Sequence, residues 1–374
     1  MNRPTCNLCR SHAAAPLDIG EPAAKVGYNV ICEICGLIFH YPAMSAEEMK
    51  KFYVDDYSGN YSASETIGRD MARGRIAFLQ QQIDISKVET ALEIGCAKGE
   101  FLSELNIAGV PAEGVEPSQA MAGLGSNTYG VKITGSVYDD FPLRPGYYDL
   151  MSMFHVLEHV SDPLSMLQRI KKELKPDGYL FLEVPTIAEC QLAIVFKAIH
   201  PTTFVAETLT AMLVEAEFEV LHSAENGYHL RVLAKPASLP ATPIYPAADV
   251  VKTRVYTYLA ERRRVVEGIL GKMQCLIHKG TGAIYGAGLN TLDLDLVFPL
   301  KQLKLDAVFD SDTRKHGNTI LGLPIQDPAA LQDWNGEYVI ISSYAFQAEI
   351  VRQLEYLKAR GVELITLYEW NGHE

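Results

Sequence analysis

Residues 88–99 read Val-Glu-Thr-Ala-Leu-Glu-Ile-Gly-Cys-Ala-Lys-Gly. Val88–Ile94 has the apolar run of a buried strand, and Gly95–Gly99 is a loop of small residues. EFLSELNIA (100–108) follows with helical periodicity, and AEGVEP (112–117) is the next strand. Strand, small-residue loop, helix, strand is the start of an α/β sheet. Small residues in such a loop let backbone amides come close to a ligand. Glu116 ends the second strand, where a carboxylate can accept bonds from two ribose hydroxyls. The loop Gly-Cys-Ala-Lys-Gly is not the G-x-G-x-x-G that cradles a pyrophosphate. By itself it leaves NAD and S-adenosylmethionine (SAM) both open.

The alternation continues. YYDLMSMFHV (147–156) is a strand. Asp162-Pro163 starts a helix, with Asp as N-cap and Pro at N1, and Leu164, Leu167, Ile170 and Leu174 form its apolar stripe. Pro176-Asp177-Gly178 ends that helix, and YLFLEVP (179–185) is a strand. After a helix near 207–216, EFEVLHSA and YHLRVLAKP form a hairpin around Asn226-Gly227. Residues 235–247 are a Pro/Ala-rich linker, and a long helix is expected over 248–278. A second strand and glycine turn, GAIYGAG (282–288), opens another βαβ pattern. Its later elements are LKLDAVFDSD, EYVIISS, a helix over 345–360 and VELITLY.

Upstream lie two C-x2-C pairs, Cys6/Cys9 and Cys32/Cys35, among seven cysteines in all. Two such knuckles supply four sulfurs for a tetrahedral zinc. The gap, residues 10–31, is slightly longer than the usual ~15–20. Four sulfurs close the coordination sphere, so this zinc is expected to be structural. Ser45 and Glu48 make a capping box for a short helix over 45–53, and Tyr53–Tyr61 is a polar aromatic loop. The chain has 374 residues and a formal charge of −13. That charge opposes sequence-independent binding to nucleic acid or anionic membrane. No run approaches the ~18 apolar residues of a membrane span, and the start lacks a signal-peptide core. A cytoplasmic protein is expected.

EIGCAKGEFL, GVEPS (114–118), YYDLMSMFHVLEHVSDP and LKPDGYLFLEVP resemble, in order and spacing, the motifs of class I SAM-dependent methyltransferases. The wider layout of double C-x2-C module, this core, and a GAG-containing α/β domain resembles the sugar C-methyltransferases of deoxysugar pathways. The resemblance implies an α/β chain in four parts. These are a zinc module with its connecting helix and loop (1–60), a Rossmann-like SAM methyltransferase domain (61–235), a linker with a long helix (236–278), and a C-terminal Rossmann-like domain (279–374).

It also implies roles. Glu93, Gly95, Cys96, Ala97 and Gly99 would surround the amino-acid part of SAM. Glu116 would hold the ribose, with Pro117, Ser118, Ser136 and Val137 by the adenine and Phe154 facing the donor. His200 matches the family's candidate base, with His155 assisting and Glu158 on the same helical face as His155. The family's supporting Glu is replaced here by Ile199. Tyr57 and Tyr61 would close over the ligands. Gly286, Gly288 and Asp310 would take the nucleotide part of a small-molecule substrate, a nucleotide-linked ketosugar methylated on carbon. Three other readings compete. They are an O- or N-methyltransferase, an NAD-dependent oxidoreductase using the C-terminal domain, and a non-catalytic zinc-knuckle binding protein.

Overall fold

The computed structural model describes residues 3–19, 28–51, 65–192, 195–197, 199–227, 229–344 and 346–369. Tyr57 and Tyr61 lie outside the described residues. The chain divides into two compact units, Met1–Glu189 with Val195–Tyr258, and Cys190–Ile194 with Leu259–Glu374.

In the first unit, the N-terminal segment forms β1 (Ala14–Pro16), β2 (Tyr28–Cys32) and β3 (Ile38–Tyr41). The central sheet contains β4 (Ala91–Ile94), β5 (Ala112–Glu116), β6 (Lys132–Gly135), β7 (Tyr148–Phe154) and β8 (Leu174–Pro185). The two-residue strand β9 (Thr202–Thr203) adds to the edge of the N-terminal sheet, giving the order β1-β2-β3-β9. The N-terminal module therefore does not stand alone. Cys6, Leu8, Val30, Leu37 and Phe39 share one core with Val184, Phe204, Leu209 and Met212.

The central sheet ends with the hairpin β10 (Phe218–Asn226) and β11 (His229–Pro236), and its order is β10-β11-β8-β7-β4-β5-β6. β4, β5, β6, β7 and β8 are mutually parallel, and the hairpin is antiparallel. From β4 the chain winds outward through β5 to β6 and then returns to place β7 on the other side of β4. The strand order reverses between β4 and β7. Ligands of open α/β sheets bind outside the carboxyl ends of the strands at such a reversal.

Two local expectations change. The helix ends at Glu173, and Leu174 already belongs to β8. Residues 174–178 begin that strand, with Tyr148 paired to Leu174, because the ladder with β7 satisfies backbone groups a frayed helix end would leave open. The helix expected over 345–360 is two pieces, Gln347–Gln353 and Glu355–Lys358, meeting at Leu354. Leu354 is buried, so the chain tightens there to keep it in the core. The long helix runs Ala248–Leu276.

The second unit repeats the architecture with β12 (Gly282–Tyr285), β13 (Leu305–Phe309), β14 (Thr319–Ile320), β15 (Leu323–Gln326), β16 (Tyr338–Ile341) and β17 (Glu363–Thr366). Its order is β14-β15-β13-β12-β16-β17, with the reversal between β12 and β16.

A buried ionic clamp ties the first unit together. Glu183 on β8 is 1% exposed. One carboxylate oxygen accepts from Arg75 Nε at 2.8 Å with Arg75 Nη2 at 2.6 Å, and the other accepts from Arg231 Nε at 2.6 Å with Arg231 Nη2 at 2.5 Å. Burial alone would raise its pKa. The guanidinium charges of Arg75 and Arg231 outweigh that and hold it at about 2. Glu183→Gln leaves two guanidiniums without their counter-charge. Breaking one partner of a buried pair costs ~3–5 kcal/mol, so the midpoint of chemical denaturation is expected to fall clearly. An unchanged midpoint would show that the clamp adds nothing to stability.

Candidate active site and metal centre

The glycine loop leaves the end of β4 under tight constraint. Gly95 has φ +68°, and a Cβ there would meet Val156 Cγ2 at 2.5 Å. The chain just after β7 thus lies directly against the loop, which only glycine permits. The loop is latched to β5. Ala97 N donates to Glu116 Oε2 at 3.0 Å and Ser118 N donates to Glu116 Oε1 at 2.9 Å. Each of these oxygens keeps a further lone pair. Burial raises the Glu116 carboxyl above its usual range. Ser118 caps the next helix through Met121 N, and Ser136 N donates to the Glu116 carbonyl at 3.0 Å. The Ser136 hydroxyl turns back on the Val137 carbonyl. Glu93, 4% exposed, has no hydrogen bond to Oε2 among the described residues. Burial pushes its carboxyl up to about 8.

The side chains of two expected cofactor contacts, Cys96 and Phe154, are buried. The Cys96 side chain packs with Leu102 and Val131 beneath Gly114. Gly114 needs its missing Cβ, which would fall 2.4 Å from Cys96 Sγ. The Phe154 ring packs edge-on against Phe101 and Phe181, with the Arg75 guanidinium 3.8 Å from its centroid. Strand alternation turns it away from the face that its neighbour His155 presents.

His155 follows β7 with φ +56°, a left-handed conformation uncommon outside glycine. Such strain in a non-glycine residue persists only where its surroundings hold it. Its backbone N–H donates to the Glu183 carbonyl at 2.9 Å. Residues 157–159 form a 3-10 turn rather than a continuous helix. His155 and Glu158 still meet, with Nδ1 3.4 Å from Oε1, because the left-handed residue turns the ring back. His155 Nε2 has no hydrogen-bond partner among the described residues.

Glu158 is 2% exposed, and neither carboxylate oxygen has a hydrogen bond among the described residues. Burial would raise its pKa; the imidazoles of His159, His155 and His200 outweigh it and bring it to about 2. His159 Nε2 lies 3.6 Å from Glu158 Oε1. The His159 and His200 rings pack edge-on at 4.7 Å. His200 Nδ1 sits 2.7 Å from the Val195 carbonyl, and burial lowers its pKa to about 4. The expected helical face is thus replaced by a cluster in which one buried carboxylate is ringed by three imidazoles. The HVLEHV run supplied most of the cluster to sequence reading, but the place of His159 beside His200 had no sequence signal. Arg75, Glu183 and His229, which surround the other side of His155, also escaped it.

The four N-terminal sulfurs lie within 4.8 Å of one another. Cys6–Cys35 is 3.4 Å and Cys9–Cys32 3.5 Å between sulfurs. Four sulfurs ~2.3 Å from one zinc would lie ~3.8 Å apart, so the donor set fits that ion. The Cys32 and Cys6 sulfurs, then burial, push the Cys35 thiol well up. A central dication is what would let all four ionise together.

In the second unit the latch recurs. Ala287 N donates to Asp310 Oδ2 at 2.7 Å, and Asp312 N donates to Asp310 Oδ1 at 2.8 Å. Gly286 has φ +112°, and a Cβ there would lie 2.6 Å from the Ser342 carbonyl oxygen. Gly288 is extended and caps the helix Leu289–Val297. Lys315 Nζ is 3.0 Å from Asp310 Oδ2, a charge partner the sequence did not signal.

Residues 65–223 match the family model described as a methyltransferase domain, and 248–368 match that of a C-methyltransferase C-terminal domain. The C-methyltransferase NovU of Streptomyces niveus is 24% identical over 321 residues, which is 77% of this chain and 74% of that one. The ubiquinone biosynthesis O-methyltransferase of Bordetella bronchiseptica is 28% identical over 116 residues, or 29% of this chain. The match spans 47% of that relative's length. The solved 1,6-didemethyltoxoflavin-N1-methyltransferase of Burkholderia thailandensis is 17% identical with a TM-score of 0.42, covering 58% of this chain and 100% of that one.

This chain has the fold of a class I SAM-dependent methyltransferase related to C-methyltransferases. Its first unit fits SAM on its own chemistry. Glu93 Oε2, buried and without a hydrogen bond among the described residues, suits an ammonium or other donor. Among the described residues, no helix is long and apolar enough to cross a membrane.

Two outcomes follow for the two centres. Glu116→Ala removes a charge-assisted acceptor, which is worth ~1.5–3 kcal/mol. Calorimetry should show SAM binding weakened by that amount, and unchanged affinity would remove Glu116 from the ribose contact. Stripping the cysteine-bound metal with a chelator should speed protease cleavage within residues 195–205, because Thr202 and Thr203 pair with β3. An unchanged cleavage rate would detach that segment from the metal module.

Proposed function

We propose that this chain is a SAM-dependent C-methyltransferase acting on a nucleotide-linked ketosugar through a base-generated enolate. The observation that carries the reading is the His155–Glu158 pair at the carboxyl end of β7, beside the glycine loop at the strand reversal. A base oriented by a buried carboxylate is what proton abstraction requires. SAM, when bound, supplies an electrophilic methyl group. The chain's own task is to make the acceptor carbon nucleophilic.

A carbon next to a ketone gives up its proton because the electron pair spreads onto the ketone oxygen. We assign the base to His155. Its Nδ1 faces Glu158, and its Nε2 makes no hydrogen bond among the described residues. The proton would move from the carbon to Nε2, and Glu158 would stabilise the imidazolium. His200, the base expected from the resemblance, has its Nδ1 held at the Val195 carbonyl and its ring packed edge-on against His159. The second unit supports a nucleotide-bearing substrate through Gly286, Gly288 and Asp310. Gly286 N and Ala287 N already donate to the Phe309 carbonyl and to Asp310, so a diphosphate would be met by the amides that open the helix Leu289–Val297. Residues 248–368 match a C-methyltransferase C-terminal domain, which favours carbon as the acceptor. The O-methyltransferase relatives make hydroxyl methylation the second reading.

The test uses a ketosugar nucleotide in deuterated water. His155→Ala should lose solvent exchange at the acidic carbon and methylation together, by the ~10²–10⁴-fold typical of general-base loss, while still binding SAM. Exchange at the wild-type rate in that variant would move the base elsewhere. NMR of the product decides between acceptors, and a methyl group on oxygen would overturn carbon methylation.

A further inference from the structure

We propose that Glu158, His159 and His200 form a site for one divalent transition-metal ion, separate from the cysteine quartet. One ligand atom from each lies within 4.8 Å of the others. His159 Nε2 and Glu158 Oε1 are 3.6 Å apart. Two ligands each ~2.1 Å from one ion stand ~3–3.5 Å apart, so this pair is almost at that spacing and His200 would close in from within 4.8 Å.

Two features point to a cation, and a third contact is compatible with one. The first is the Glu158 carboxylate, 2% exposed and with neither oxygen hydrogen-bonded among the described residues. A buried charge in that condition is costly unless something else compensates it. The second is how the rings are held. His159 Nδ1 lies 2.8 Å from the Ile199 carbonyl, and His200 Nδ1 lies 2.7 Å from the Val195 carbonyl. A carbonyl can only accept, so each Nδ1 carries the hydrogen and each Nε2 keeps the lone pair. Metal-binding histidines are oriented in this way by outer-shell carbonyls. The third is His155 Nδ1 at 3.4 Å from Glu158 Oε1. A carboxylate has about four acceptor positions, enough to bind an ion and still face His155.

The neighbouring group His155, Glu183 and His229 is also compact, but it is different in kind. Both Glu183 oxygens are taken by Arg75 and Arg231, which leaves no room for a second dication. Two imidazoles and one carboxylate suit zinc, iron(II), cobalt or manganese rather than magnesium or calcium, which prefer all-oxygen shells. Three protein ligands leave coordination positions open, as in catalytic rather than structural sites. An ion there could polarise the acceptor's oxygen; that role, unlike the binding itself, rests on the methyl transfer proposed above.

The experiment titrates cobalt(II) into the full-length chain after chelation. The cysteine quartet reports by intense thiolate-to-cobalt charge-transfer absorption, while a nitrogen–oxygen site gives only weak visible bands. The expected result is two ions per chain, one with each signature. Glu158→Gln and His200→Ala should each keep the thiolate signal and SAM binding. Both should weaken the second ion by at least the ~10–100-fold that losing even a supporting partner costs. His159→Gln gives the same readout if either variant fails to fold. Saturation of the wild type at one thiolate-bound ion, even at millimolar cobalt, would overturn the site. So would a second ion that binds the variants undiminished. Two ions with no methylation of any ketosugar would leave the metal site standing and overturn the proposed function instead.

Discussion

The pairing of Ile38 with Thr203 and Phe39 with Thr202 is the contact on which the active-site side of the first unit depends. His200 lies just before this two-residue strand, in a stretch with little regular structure of its own. A two-residue strand cannot hold itself. It is held by the edge that β3 offers, and β3 is held on its other side by β2, whose last residue is Cys32. His40 N reinforces the junction by donating to the Pro201 carbonyl at 3.0 Å. The first knuckle grips the other side of the cluster, where Asn7 Nδ2 donates to the Ser161 carbonyl at 2.8 Å. The N-terminal module thus holds both segments that carry Glu158, His159 and His200. It acts as a buttress for both segments.

A second constraint acts from the opposite side. Glu183 draws Arg75 and Arg231 onto β8, so a helix and a hairpin strand are locked to the strand next to β7. The Glu183 carbonyl also takes the N–H of left-handed His155. Side chain and main chain of one residue therefore stabilise the clamp and hold the strained turn that aims His155. A buried ion pair is a weak source of net stability. Here its geometric effect is clear, since the strain at His155 would relax without a fixed partner.

The two units share one device. Ala97–Glu116–Ser118 and Ala287–Asp310–Asp312 each bind a carboxylate at the end of one strand to a loop amide and to the amide two residues on. The device fixes a glycine loop against its neighbouring strand before any ligand arrives. The units differ in charge at that point. Asp310 is paired with Lys315, whereas the Glu116 oxygens accept only backbone amides in the hydrogen bonds described. The same latch therefore carries a neutralised carboxylate in one unit and a carboxylate bound by backbone amides in the other.

The sequence by itself determined the repeated βαβ order, the glycine loops, Glu116, the cysteine quartet and the HVLEHV run. These are local signals, read from periodicity, spacing or residue type, and they do not need distant contacts. Motif position does not tell which way a side chain points, and packing beneath Gly114 and against Phe101 decided that for Cys96 and Phe154. Leu174 changed from helix to strand because the β7 ladder satisfied its backbone. The tertiary structure alone brought His200 beside His159 and gave Glu183 its two arginines, while the expected meeting of His155 and Glu158 is made through a left-handed turn rather than a helix. Those pairings join residues far apart in the chain, or depend on one left-handed residue. No local pattern encodes them, because their energy comes from burial and charge that exist only after the sheet has closed.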